Sequence, residues 1–225
     1  MDYVIAFVLS AIEIVLIALY FWKLQIFRDD ANNPDTLPVT IKFQSRTCFC
    51  VVMAIVTVVL FCSSFIIVRH ISNIPNLVKL VLLMGILAAV AVIDLRKTII
   101  PNLLIVIGLI VRVLIYVVEL LFYNNIFVPQ LISDVIGFFI GFGILLIASI
   151  VSKGALGFGD VKLFGLIGLM SGAICTYSTL IISLLLSTIV SIGLMVSKKK
   201  SRKDSIPFGP FVFFGYIIAI ILTSY

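Results

Sequence analysis

Eight apolar runs alternate with short polar breaks along this chain. They fall at about residues 3–22, 48–68, 77–93, 103–123, 131–151, 161–174, 178–196 and 208–223. A helix that spans a bilayer needs about 20 mainly apolar residues. Only the sixth run, short and glycine-containing, falls well below that length. Among the breaks, only residues 23–47 amount to a substantial loop. The pattern therefore predicts an all-α, polytopic integral membrane protein of about eight transmembrane helices. It divides into an N-terminal two-helix region over residues 1–76 and a six-helix core over residues 77–225.

Composition excludes the soluble alternatives. Hydrophobic residues make up 63% of the 225 positions, charged residues only 12%, and the mean hydropathy is +1.33. No soluble globular domain is built this way. The net charge of +6 would suggest a nucleic-acid partner if the charges were clustered on a domain. They lie instead in short loops, so the expected partner is the lipid bilayer and no nucleic acid.

Charge placement also sets an expected orientation. Thirteen of the 16 basic residues fall in alternate loops: Lys23, Arg28, Lys42, Arg46, Arg96, Lys97, Lys153, Lys162, Lys198, Lys199, Lys200, Arg202 and Lys203. The opposite loops hold only Arg69 and Lys79, while Arg112 lies inside the fourth run. Loops enriched in Lys and Arg face the cytoplasm, so both termini are expected outside a plasma membrane. The first run has no basic n-region and no Ala-x-Ala site, and reads as a retained helix. The four cysteines, Cys48, Cys50, Cys62 and Cys175, lie in or beside apolar runs. Cys-Phe-Cys lacks the two-residue spacer of zinc sites, so no metal and no other cofactor is expected.

Two aspartates stand out against this background. Asp94 lies in Ala-Val-Ile-Asp-Leu-Arg-Lys-Thr-Ile-Ile-Pro-Asn, and Asp160 closes Gly-Ala-Leu-Gly-Phe-Gly-Asp. Each sits at the edge of an apolar run, where an ionisable group is expensive. Counting crossings places both on the cytoplasmic face, together with Pro207-Phe208-Gly209-Pro210. Paired carboxylates sharing one site are the equipment of an aspartic hydrolase. Gly157 and Gly159 allow a substrate strand to approach Asp160 closely, and Pro101-Asn102 makes a tight turn after Asp94. Local alternatives exist: Asp160 could cap a helix, and Asp94 could pair with Arg96 or Lys97.

Other polar positions read as structural. Glu13 and Arg112, deeper in apolar runs, are expected to pair between helices or to snorkel. Glu119 and Asp134 fall near the outer surface. Gly137 with Gly141, and Gly165 with Gly168 and Gly172, suggest close helix packing. The run from Lys198 to Lys203 serves orientation in its simplest reading, with anionic lipid or an acidic partner as the alternative.

Taken together, the motifs resemble the type IV prepilin peptidase family, membrane aspartic proteases of the Gly-x-Gly-Asp type. The resemblance spans roughly residues 77–211 and rests on Asp94 with Ile-Pro-Asn, Gly-Phe-Gly-Asp-Val-Lys-Leu, and the late Pro-Phe-Gly-Pro. It implies that Asp94 and Asp160 are the catalytic acids. Gly157, Gly159, Pro101, Asn102, Lys162, Pro207, Phe208, Gly209 and Pro210 would shape the site or bind substrate. It further implies prepilin or pseudopilin-like precursors as partners, cut at the cytoplasmic face to release a short basic leader. Many members carry two Cys-x-x-Cys pairs in the first cytoplasmic loop. Residues 23–47 hold no cysteine, which implies a short form without zinc and places the N-methyltransferase activity of longer members in doubt. A small membrane transporter, or a non-catalytic assembly factor of a pilus or secretion system, are the alternatives. A presenilin-like protease lacks support, because Pro-Phe-Gly-Pro stands where Pro-Ala-Leu would.

Overall fold

A computed structural model describes residues 74–152, 157–197 and 206–223, together with position 11. Apart from position 11, the first two apolar runs lie outside the described residues, as do Glu13, the loop at 23–47 and three of the four cysteines. Within them the protein is all helical: α1 (Ile74–Lys97), α2 (Asn102–Phe122), α3 (Asn124–Val151), α4 (Phe158–Val196) and α5 (Gly209–Thr223). Four of these, α1 to α4, are long and apolar enough to cross a membrane, and α5 is a shorter apolar helix.

The connections explain where the helices stop. Thr98 takes a left-handed conformation (φ 51°), and its N–H donates to the Asp94 carbonyl oxygen at 2.9 Å, closing α1. Pro101, with φ −72° and ψ 125°, cannot continue a helix behind it and so restarts one as the N-cap of α2. A single residue, Tyr123, joins α2 to α3.

Helix α1 is the central element. Buried positions make up 72% of its apolar window, against 28% for α2 and α3 and 17% for α4. Long apolar side chains such as Leu103, Val113, Leu121 and Phe139 are exposed on α2 and α3. In water such surfaces would drive aggregation; against lipid they are at no disadvantage. Because lipid tails are as apolar as leucine, close packing rather than transfer from water holds the helices together. The α3–α4 contact shows how. A Cβ on Gly137 would lie 2.7 Å from the Gly168 carbonyl oxygen, so the two backbones touch and only glycine fits.

The long helix α4 is two arms rather than one rod. At Gly172 the backbone leaves helical geometry (φ 75°, ψ 179°), which side-chain-bearing residues rarely adopt. Gly141 of α3 faces both Phe164 and Thr176, so these two residues lie side by side. Twelve residues of straight helix would separate them by about 18 Å, so the chain reverses at Gly172. The backbone N–H of Ala173, released by the break, donates to the Ser133 hydroxyl at 3.2 Å. The sequence reading placed the sixth and seventh runs on either side of residues 175–177. The turn comes earlier, and Gly172 both makes it and packs against α3, where a Cβ on Gly137 would lie 2.8 Å from the Gly172 carbonyl carbon.

Beside this reversal lies a buried ionic cluster. Arg112 donates to Glu119, seven residues further along α2, at 3.2 Å and also to Asp134 on α3. Its guanidinium stands 3.7 Å over the Tyr116 ring, and the Tyr116 hydroxyl donates to Asp134 at 3.2 Å. The Lys79 amine of α1 lies 4.0 Å from Asp134. Arg112 is 1% exposed and Asp134 fully buried. Interhelical pairing of Arg112 is thus what the structure contains. Lys79, expected in a loop, is instead buried within α1, and Asp134 and Glu119 are buried inside the bundle with it. Two cations and two carboxylates compensate one another, which a low-dielectric interior demands. Removing one partner strands the others, so Arg112→Leu should destabilise the protein by about 3–5 kcal/mol. Thermal unfolding in detergent measures it, and an unchanged midpoint would contradict the cluster's role.

Candidate active site

Four helix ends meet at the end of the bundle away from the Gly172 reversal. The C-terminal turn of α1 brings Asp94, which is 5% exposed. Its Oδ2 accepts the Gly209 backbone N–H at 2.6 Å, and the Phe208 N–H also points to this carboxylate. These amides belong to the start of α5, where donors have no partner within the helix. Pro-Phe-Gly-Pro makes this contact possible. A Cβ on Gly209 would stand 3.0 Å from both Cβ and Oδ2 of Asp94, so glycine permits the close approach. Pro210 lies in the first turn of α5, where a missing N–H removes no helical bond. Pro207 precedes Phe208 in the extended entry, half-buried.

Asp160 comes from the first turn of α4, and its N–H donates to the Gly157 carbonyl oxygen at 3.0 Å. It is the acidic residue of that first turn, where a helix N-terminus favours negative charge, and Gly157 rather than Asp160 occupies the N-cap. Its Oδ1 is buried without a hydrogen-bond partner, and it interacts electrostatically with Asp94. A Cβ on Gly159 would lie 3.0 Å from Ile100 Cβ, so this glycine lets the start of α4 pack on the α1–α2 turn. At Gly157 a Cβ would come within 3.1 Å of Asp160 Oδ2. Both glycines therefore serve close approach around the acid.

The remaining candidates tie the ends together. The Lys162 amine donates to the Asn102 side-chain oxygen at 3.2 Å, linking α4 to α2, and lies 5.2 Å from the Phe158 ring centre. Phe208 stacks on Phe164, with ring centres 6.2 Å apart. All candidates named from sequence thus sit on or beside converging helix ends. None of the described ion pairs includes Asp94. Sequence reasoning missed Ile100 and Phe164, whose apolar side chains carry no local signal. It also missed the role of the α5 amides, since a backbone donor has no sequence identity. Among the described residues no group of three or more His, Cys, Asp or Glu could hold a metal ion.

Two carboxyl groups at one buried site, one held by backbone amides and one with a free oxygen, are equipped to exchange protons with a water and a carbonyl. A prepilin leader peptidase/N-methyltransferase of Bacillus subtilis (strain 168) is 26% identical over 141 residues, covering 62% of this chain and 53% of the relative. The chain thus matches about half the length of that relative. No solved structure matches it. Residues 81–195, which carry both aspartates, match the model of the type IV leader peptidase family. That match covers half of the sequence, and by it the chain belongs to the type IV leader peptidase family.

Proposed function

We propose that this protein is a membrane aspartic endopeptidase that removes short basic leaders from prepilin or pseudopilin-like precursors. The observation that carries the reading is the juxtaposition of Asp94 and Asp160 at one buried site, within the segment that matches the family. The name of the Bacillus subtilis relative supports the substrate class.

In this mechanism Asp94 and Asp160 hold one proton between them, because two adjacent carboxylates do not readily both ionise. The ionised partner takes a proton from a water, whose oxygen attacks the scissile carbonyl carbon. The protonated partner gives its proton to the carbonyl oxygen. Collapse of the tetrahedral intermediate breaks the C–N bond, the leaving amine takes a proton, and the acids exchange roles. The α5 amides fix the Asp94 carboxylate throughout. Gly157, Gly159 and the Pro-Phe-Gly-Pro turn leave room for an extended peptide. Co-expression with a pilin-like precursor tests the reading: the leader should be lost with this protein and retained without it. Retention in both would favour the non-catalytic assembly factor.

The orientation belongs to the same proposal. The chain crosses the plasma membrane eight times, with the site at the cytoplasmic face, as the Lys and Arg placement supports. In a cysteine-free background, a cysteine at Ser152 or Ser201 should react with an impermeant reagent only after permeabilisation. One at Asn124 should react in intact cells. Labelling of Ser201 from outside would overturn the orientation.

A further inference from the structure

Between α2, α3 and the first arm of α4 lies a cavity of about 340 Å³. Its walls are apolar: Ile105 and Leu109 on α2, Phe138 and Phe142 on α3, Gly165 and Leu169 on α4. The stacked rings of Phe138 and Phe142, 5.3 Å apart, form one side. A Cβ on Gly165 would come 3.2 Å from the Phe138 ring, so the glycine keeps the slot open. Among the described residues only two that line it are polar, Asn102 and Lys162, and both stand at the same end. From Asn102, Ile105 and Leu109 follow at helical spacing; from Lys162, Gly165 and Leu169 do the same. The slot therefore runs about 10 Å along both helices, away from a single polar mouth. Lys162 has the Asn102 oxygen and the Phe158 ring as neighbours and forms no ion pair among the described residues.

We propose that this slot binds one anionic phospholipid of the surrounding bilayer, with an acyl chain between the phenylalanines and the headgroup phosphate on Lys162. Shape and charge decide the occupant: a narrow slot, apolar for about 10 Å with a cation at one end, suits a single chain of methylenes carrying an anionic head. The unpaired amine at the mouth of an otherwise apolar slot selects an amphiphile whose charge is negative. The Asn102 side-chain amide offers a further donor to the same phosphate. The bound lipid would fill the gap between α2 and α4 beside the Asp160 turn and brace it.

Native mass spectrometry of the detergent-purified protein tests this without any cleavage, so it stands or falls apart from the peptidase reading. With phosphatidylglycerol and phosphatidylcholine at equal concentration, one phosphatidylglycerol per protein should be retained, in about fivefold preference, as expected of one cation at an anionic surface. Lys162→Gln should remove the preference, and Lys162→Arg should restore it. Leu109→Trp, on a half-exposed wall, should lower retention of both lipids by filling the slot. Glycerol phosphate, a headgroup without chains, should not compete. Equal retention of the two lipids by the unaltered protein, or a preference that survives Lys162→Gln, would overturn the proposal. So would unchanged retention in Leu109→Trp, or displacement of the lipid by a precursor peptide.

Discussion

Leader cleavage should disappear when either Asp94 or Asp160 becomes asparagine. Asparagine keeps the size of the side chain and can still accept the Gly209 N–H, so the helix ends should remain in place. What it cannot do is exchange a proton with a water or a scissile carbonyl. General acid–base catalysis by one positioned group contributes about 10²–10⁴-fold, so each variant should fall at least that far, to the limit of detection in an immunoblot of precursor and product. The double variant should be no worse than either single one, because the pair acts as a unit. Glu13→Gln, in an apolar run without a motif, should retain most activity. Either aspartate variant cleaving at near the normal rate, at matched expression, would end the aspartic-peptidase reading.

A second large effect is expected at Gly209, where the change is one of shape rather than charge. A methyl group here meets Asp94 Cβ and Oδ2 at 3.0 Å, so even alanine must push the carboxylate aside by a few tenths of an ångström. Valine, branched at Cβ, displaces it further. A misplacement of about 1 Å in a catalytic group is enough for a 10²-fold loss. Gly209→Ala should therefore lower the cleavage rate about tenfold, and Gly209→Val about 100-fold. Thermal unfolding should separate this effect from general instability, since Arg112→Leu lowers stability at the far end of the bundle. Gly209→Val with full activity would show that α5 does not position Asp94.

The two experiments draw on features of different visibility in the sequence. Asp94, Asp160 and their flanking glycines and prolines were legible because each breaks an apolar run, and counting crossings brought them to one end. The contact between Asp94 and the α5 amides was not legible, because a peptide N–H looks the same at every position. Lys79 was misread as a loop residue for a related reason: hydropathy registers the price of burying a charge but not the partner that offsets it. Asp134, 55 residues later, supplies that partner, with Arg112 completing the compensation. The turn at Gly172 was obscured by the glycines before it, since all three pack closely and only Gly172 also adopts positive φ. Only the backbone angle reveals the turn.

The early turn of α4 has a consequence for the bilayer itself. The first arm, from Phe158 to Ser171, spans only about 21 Å, against a hydrocarbon thickness of about 30 Å. On the proposed topology, with Phe158 at one surface, the far end of this arm would stop short of the other. The Ser133 hydroxyl and the Arg112–Asp134 cluster lie beside the reversal and supply polar partners there. Hydrophobic mismatch of this size draws the surrounding leaflets inward at a modest cost for each ångström. On that topology the protein would match a membrane thinned around it, and acyl-chain length would become a variable of the proposed chemistry.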